Sequence, residues 1–153
     1  MTTQNFSEMA DAFLTKAHTI VWCNVATVDS QDRPRSRVLH PIWEVVNDRP
    51  VGWIATGRQT LKAKHLAQHP YLSLAYIADP LKPLYVECHA AWADEAATKQ
   101  RIWDWFGATP PPLGYDLAAF FGAVDNPAYG VLQLTPWRVE LADLFGEAQV
   151  WSA

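Results

Sequence analysis

Residues 33–66 read RPRSRVLHPIWEVVNDRPVGWIATGRQTLKAKHL. Residues 35–45 follow the turn at 29–34 as a second, returning strand, with Pro41 marking a bulge or an edge. Asn47-Asp48-Arg49-Pro50 predicts a turn, and 51–56 (VGWIAT) a further strand. Gly57-Arg58-Gln59 then leads to Thr60, a residue suited to capping a helix over 61–68 that stops at His69-Pro70, because proline disfavours helical backbone in its predecessor. A strand, a short loop with an arginine, and a helix opening on a hydroxyl residue and a lysine follow one another without interruption.

The flanking sequence extends this pattern. Upstream, Phe6, Met9, Ala10, Phe13, Leu14 and Ala17 are spaced by three and four, so 6–17 is an amphipathic helix. Residues 19–28 (TIVWCNVATV) are rich in β-branched and aromatic types and end in the turn chemistry of 29–34, predicting a three-strand antiparallel meander through residue 56. Downstream, 71–78 and 84–93 are strands, and Asp94 caps a helix ending near Gly107. Residues 110–115 (PPPLGY) form a stiff excursion over the barrel mouth, and 129–134 and 137–144 are two closing strands separated by Thr135-Pro136. Seven or so short strands with intervening helices indicate a mainly β, α+β fold: a small antiparallel barrel rather than a doubly wound sheet. Neither GxGxxG nor GxxxxGK[ST] occurs.

Composition bounds the function. A chain of 153 residues, half of them apolar and 18% charged, has the material for one core, and a single domain over 1–153 is expected. No apolar run approaches the roughly 18 residues that cross a bilayer, and the N-terminal segment carries acids where a signal peptide has bases. A cytoplasmic protein without membrane or nucleic-acid partners is therefore expected. Cys23 and Cys88 suit reduced core thiols. His65 and His69 are four apart, but Leu66 stands where HExxH has glutamate, so no metal is expected. Between Arg33 and Lys64, seven bases face two acids, although the whole chain has a formal net charge of −4. Such concentration suits a compact anionic ligand better than the broad basic face of a nucleic-acid binder.

The anion has a candidate seat. Free N–H groups and the positive end of a helix dipole favour a phosphate where the 61–68 helix begins, with Arg58, Thr60 and Lys62 to hold it. Period two puts Arg35 and Arg37 on one face of their strand, so either reaches the same anion. No acid/base triad or nucleophile elbow is present, and no catalytic residue is assigned.

The succession RPRSRVLHPIWE (33–44), VGWIATGRQTLKAKHL (51–66), HPYLSLAYI (69–77), YVECHAAW (85–92) and LTPWRVEL (134–141) resembles the pyridoxamine 5′-phosphate oxidase-related family of flavin-binding proteins. The resemblance implies an antiparallel split β-barrel of the FMN-binding type, assembled as a homodimer with FMN at the subunit interface. By position, Arg37 opens the flavin-contacting strand, with Val38, Leu39 and His40 along the ring edge. Ala55 and Thr56 match the strand end near the flavin, and Thr60, Leu61 and Lys62 the helix start that holds the 5′-phosphate. Leu61 and Ile42 stand where the vitamin B6 oxidases carry basic residues, and their C-terminal Arg-and-His signature is absent, which argues against the B6 activity itself. What the resemblance implies is a flavin-dependent oxidoreductase acting with an electron donor on an unidentified small molecule. Two alternatives share the fold. One is a reductase using a deazaflavin coenzyme, whose anionic tail would call on Arg33, Arg49 and Lys64. The other is a flavin- or haem-binding module without turnover.

Overall fold

The computed structural model describes residues 2–3 and 5–153. Strand β1 (Thr2–Thr3) and a 3₁₀ turn (Phe6–Glu8) precede helix α1 (Ala10–Ile20). The buried stripe of this region is Phe6, Met9, Phe13 and Ala17, the spacing read from the sequence. Phe6 packs edge-on against Phe13 and Trp151, with ring centroids 5.4 and 5.3 Å apart, and Phe13 against Trp43 at 5.1 Å. The helix runs three residues beyond the expected limit, so the next strand, β2 (Cys23–Val28), starts four residues later than predicted. A γ-turn at Val21 stops the helix: φ is +70°, ψ is −59°, and the Trp22 N–H donates to Ile20 O at 2.8 Å. Two β-branched residues of the predicted strand, Thr19 and Ile20, thus joined the helix, whose buried face is anchored in the core.

The Asp29 carboxylate organises the turn after β2, accepting the N–H groups of Gln31 and Arg33 at 2.9 and 3.0 Å and Arg33 Nε at 3.0 Å. Burial pushes this carboxyl up, yet the donors of Arg33 and Gln31 outweigh it and hold it at about 2. The predicted strand over 35–45 is two strands, β3 (Pro34–Leu39) and β4 (Ile42–Val46), broken at His40-Pro41. Strand β3 pairs with β2 and β4 with β5 (Arg49–Gly57), so the meander exists with its middle member split. Splitting exposes a backbone donor on β4, and the Trp43 N–H donates to His18 Nε2 of α1 at 3.0 Å.

Helix α2 (Leu61–Gln68) has its expected limits. Strands β6 (Tyr71–Tyr76) and β7 (Leu84–Trp92) follow. Helix α3 (Ala96–Ala108) has Glu95 at its N-cap; Asp94 is bonded to Arg58 instead, because the arginine lies across it from the β5–α2 loop. A four-residue helix, α4 (Ala118–Phe121), was not foreseen. The closing segment is one strand, β8 (Tyr129–Leu141), rather than two. Pro136 does not interrupt it, because the proline pairs with Cys88 at a register shift between Glu87 and Cys88, where a missing N–H is tolerated. Strand β9 (Gln149–Ser152), also unforeseen, lies between β8 and a parallel β1.

Hydrogen-bonded neighbours run β3-β2-β6-β7-β8, and β8 pairs through its first half with β5 and through its second half with β9. Strands β3 and β4 are joined by the chain at His40-Pro41 but not by a ladder, so the barrel is split at that point. Leu74, Val86, Leu134, Ile54 and Trp43 fill its interior. The Trp43 indole donates to the buried Tyr76 hydroxyl at 2.9 Å. Cys23 and Cys88 are buried free thiols, and burial pushes the Cys23 thiol up to about 12. A second apolar cluster packs α3 and the segment 113–124 against the outer side of β5 and β8. Among the described residues, no helix is long and apolar enough to cross a membrane.

Candidate functional site

The split between β3 and β4 leaves two adjoining features: a pair of unneutralised cations and an uncharged aromatic cavity. The cations come first in the chain order of β3. Arg37 lies inward over β2, where its NH1 donates to Thr27 Oγ1 at 2.7 Å and Val25 O at 3.2 Å. Thr27 is buried, and its Oγ1 lies 2.9 Å from Nδ1 of the buried His65 on α2. A guanidinium only donates, so the Thr27 oxygen accepts from Arg37; among the described residues the buried Thr27 hydroxyl has no acceptor for its own proton except His65 Nδ1, which assigns Thr27 as the donor to that ring. His65 is thereby the neutral tautomer with its hydrogen on Nε2. Burial and the charges of Arg37 and Arg35 push its pKa down, partly opposed by Asp29.

Lys62 reaches back from the first turn of α2 to Thr60 Oγ1 at 3.0 Å, while the Thr60 hydroxyl donates to Gly57 O at 3.1 Å. Thr60 is the N-cap residue, as expected from the sequence, but no side chain caps the helix. Its first N–H groups stay available to an anion. Gly57 permits the closure: a Cβ there would stand 2.7 Å from Thr60 Cγ2. Burial, and then repulsion from Arg37, lowers the Lys62 pKa; burial, and then Arg35, lowers that of Arg37. Among the described residues, no carboxylate pairs with either. Two partly buried cations that repel each other leave room for a shared anion.

Arg58 stands apart from this pair. Its guanidinium bonds both oxygens of Asp94 at 3.2 and 3.3 Å and lies 4.4 Å over the Trp92 ring, so its charge is spent on the far side of the loop. The Leu61 side chain is 52% exposed, leaving its backbone as the part that faces the helix start.

The cavity, of about 480 Å³, is bordered by Val38, Leu39 and His40 of the split, by Ala55, Thr56 and Gly57 at the end of β5, and by Trp22, Tyr115 and Phe120. No charged side chain borders it. His40 is held between Trp22 and Tyr115, with ring centroids at 4.5 and 4.8 Å. Its Nε2 is buried without a hydrogen-bond partner among the described residues, and burial lowers its pKa. The Tyr115 hydroxyl is already committed to Ala55 O at 3.1 Å. Two γ-turns border the cavity: the one at Val21 places Trp22, and another at Gly122 (φ +77°, ψ −62°) follows Phe121. Such turns are strained.

The structure thus brings Val38, Leu39, His40, Ala55 and Thr56 to one cavity and Arg37, Thr60 and Lys62 to one cationic end. Arg37 and His40 are separated by roughly 10 Å of extended chain, about the span between an anionic tail and a planar body. Sequence reasoning missed Trp22, Tyr115 and Phe120, and also Thr27 and His65. The proline-rich segment did signal that something covers the barrel mouth.

The family model of pyridoxamine 5′-phosphate oxidase matches residues 6–142. Among solved structures, a NimC/NimA family protein from Clostridium acetobutylicum shares 18% identity at a TM-score of 0.72, covering 97% of this chain and 94% of its own. A pyridoxamine 5′-phosphate oxidase-related, FMN-binding protein from Nostoc punctiforme also shares 18% identity, at a TM-score of 0.61 with 92% and 84% covered. A haem-binding protein from Mycobacterium smegmatis shares 18% at 0.60, with 90% and 56% covered. At this identity the likeness concerns the fold, which these proteins use for different ligands. No curated protein matches the chain in sequence. The match over 6–142, joined to the split barrel, establishes that the chain belongs to the pyridoxamine 5′-phosphate oxidase family.

Proposed function

We propose that this chain is a flavin-dependent oxidoreductase that binds FMN non-covalently at the interface of a homodimer and passes electrons to or from a small molecule. The observation that carries this reading is the unpaired couple Arg37 and Lys62 beside an uncharged aromatic cavity. A phosphate neutralises the first and a planar ring suits the second. FMN, when bound, supplies the electron transfer itself, in steps of one or two electrons. The protein's own residues bind and orient. Arg37, Lys62, Thr60 and the free N–H groups of α2 grip the phosphate; Val38, Leu39, Ala55 and Thr56 flank the ring; Trp22, Tyr115 and Phe120 exclude water.

Homodimerisation is supported by the outer face of β2, β6, β7 and β8, where Val28, Pro34, Tyr71, Pro136 and Trp137 border a hollow of about 710 Å³. Tyr71 and Trp137 are 57% and 47% exposed there, an apolar surface that a twofold partner would cover. The deazaflavin alternative has less support: Arg33 and Lys64 border one cavity and Arg49 another, so the three form no single basic groove.

Titration of the purified protein with FMN, riboflavin, a deazaflavin coenzyme and haem tests this, with sedimentation to read the oligomer. FMN binding at micromolar or tighter affinity to a dimer, at least tenfold weaker riboflavin binding, and reduction of the bound flavin by a nicotinamide donor are expected. Binding of haem or deazaflavin alone, or of none of the four, overturns it.

A further inference from the structure

We infer that the cleft between the β2–β3 turn and α2 is a second anion-binding site, taking a phosphate or carboxylate group on the Nε2–H of His65. The cleft, of about 360 Å³, is bordered by Asp29, Arg33, Arg35, Lys64 and His65, with Arg37 and Lys62 not among its walls. It does not depend on the flavin reading, because every group in it is present in the chain itself.

Three observations converge. His65 is 4% exposed, so this polar ring has been desolvated at a cost that a merely structural contact to one hydroxyl does not require. Its tautomer is set by Thr27 and Arg37, which put the hydrogen on Nε2. That Nε2 has no partner among the described residues, yet it is not among the fully enclosed unpartnered atoms, so it opens into the cleft that His65 borders. The walls supply charge. Arg33 is held by Asp29 at 3.0 Å, Arg35 meets the same carboxylate only at 3.7 Å, and Lys64 has no acidic partner among the described residues. One carboxylate against three bases leaves the cleft cationic, and a buried neutral N–H at its edge gives direction to that charge.

Thr27 links the two anion sites. It accepts from Arg37 and donates to His65, so ordering one end of the relay orders the other. An anion on His65 Nε2–H makes Nδ1 a stronger acceptor and fixes the Thr27 hydroxyl in the orientation that receives Arg37.

The test is a titration with inorganic phosphate of FMN-saturated protein, followed by ¹⁵N shifts of the histidine side chains. In Lys62→Ala protein without flavin, the same titration keeps the outcome independent of whether FMN binds. The expected result is a saturable shift of the His65 Nε2 signal in both forms. His65→Asn keeps a polar atom near the Nδ1 position for Thr27 and removes the donor to the cleft, so it should weaken phosphate about tenfold or more. His65→Gln, which places its amide near the Nε2 position, should stay within about threefold. No saturable shift at His65, or equal affinity in wild type and His65→Asn, overturns the inference. If His65→Asn does not fold, Arg35→Gln/Lys64→Gln decides: a loss of about tenfold supports the site, and unchanged affinity refutes it.

Discussion

Replacing Lys62 by methionine separates the binding role of that charge from its structural effect, because methionine keeps the apolar stem and removes the ammonium. In the free protein Lys62 is partly buried, repelled by Arg37 and, among the described residues, bonded only to Thr60 Oγ1 at 3.0 Å. Removing a charge so placed should leave the ligand-free protein as stable as before or slightly more so, by about 0.5 kcal/mol or less, which raises Tm by about 1–2 °C for a chain of this size. Binding responds in the opposite direction. A charge-assisted hydrogen bond to phosphate contributes about 1.5–3 kcal/mol. With Arg37 and the open start of α2 still in place, the lower part of that range applies, so FMN affinity should fall about 10- to 30-fold. Riboflavin, which lacks the phosphate, should change by less than about twofold. Calorimetric titrations of both flavins on both proteins at one ionic strength, with melting curves of the ligand-free forms, measure every part of this. Equal losses for FMN and riboflavin, or a marked fall in the ligand-free Tm, would falsify the placement of the phosphate beside Lys62.

Acid should destabilise the ligand-free protein from about pH 6.5 downward. Burial lowers the pKa of His18, His40 and His65 below the ordinary value of 6.5, so the unfolded chain takes up protons first as pH falls; stability is complete above that value and is lost between it and the folded-state values. The slope reaches at most about 1.4 kcal/mol per pH unit for each histidine, and less for the partly exposed His18 and His40; a flat Tm between pH 7.5 and 5.5 would show that these rings are not buried as described. Gly52→Ala should cost about 1–3 kcal/mol in chemical denaturation, because the new Cβ would stand 2.5 Å from Cζ3 of the buried Trp43. A wild-type midpoint in that variant would mean that the Trp43 ring is free to move.

Local chemistry sufficed where an element depends on its own residues. The limits of α2 followed from Thr60 before it and His69-Pro70 after it, and the Asp29 turn from its Asx and proline chemistry. The candidate ligand strand was legible for the same reason: alternation places Arg37 opposite Val38, and neighbours along a strand keep that relation in any fold. Elsewhere a distant partner decided. Thr19 and Ile20, strand-like by composition, extend α1 because its apolar face is anchored through Phe13 against Trp43. Pro136 looked like a strand boundary, but a shift in the facing strand β7 absorbs its missing donor. Arg58 belonged by sequence to the phosphate cup, and Asp94, thirty-six residues on, draws it away.

The strand-forming stretches within 23–28, 51–56 and 71–76 and the basic helix start at 60–62 are properties of short segments, and the amino-acid sequence by itself determined them. Only the tertiary structure decided which side chains complete the site. Trp22, Thr27, His65 and Tyr115 come from four separate elements, and each is ordinary core material by local pattern. They become a cavity wall and a proton-ordering relay because the barrel opens at His40-Pro41, and that opening exists only when β3 and β4 take different partners.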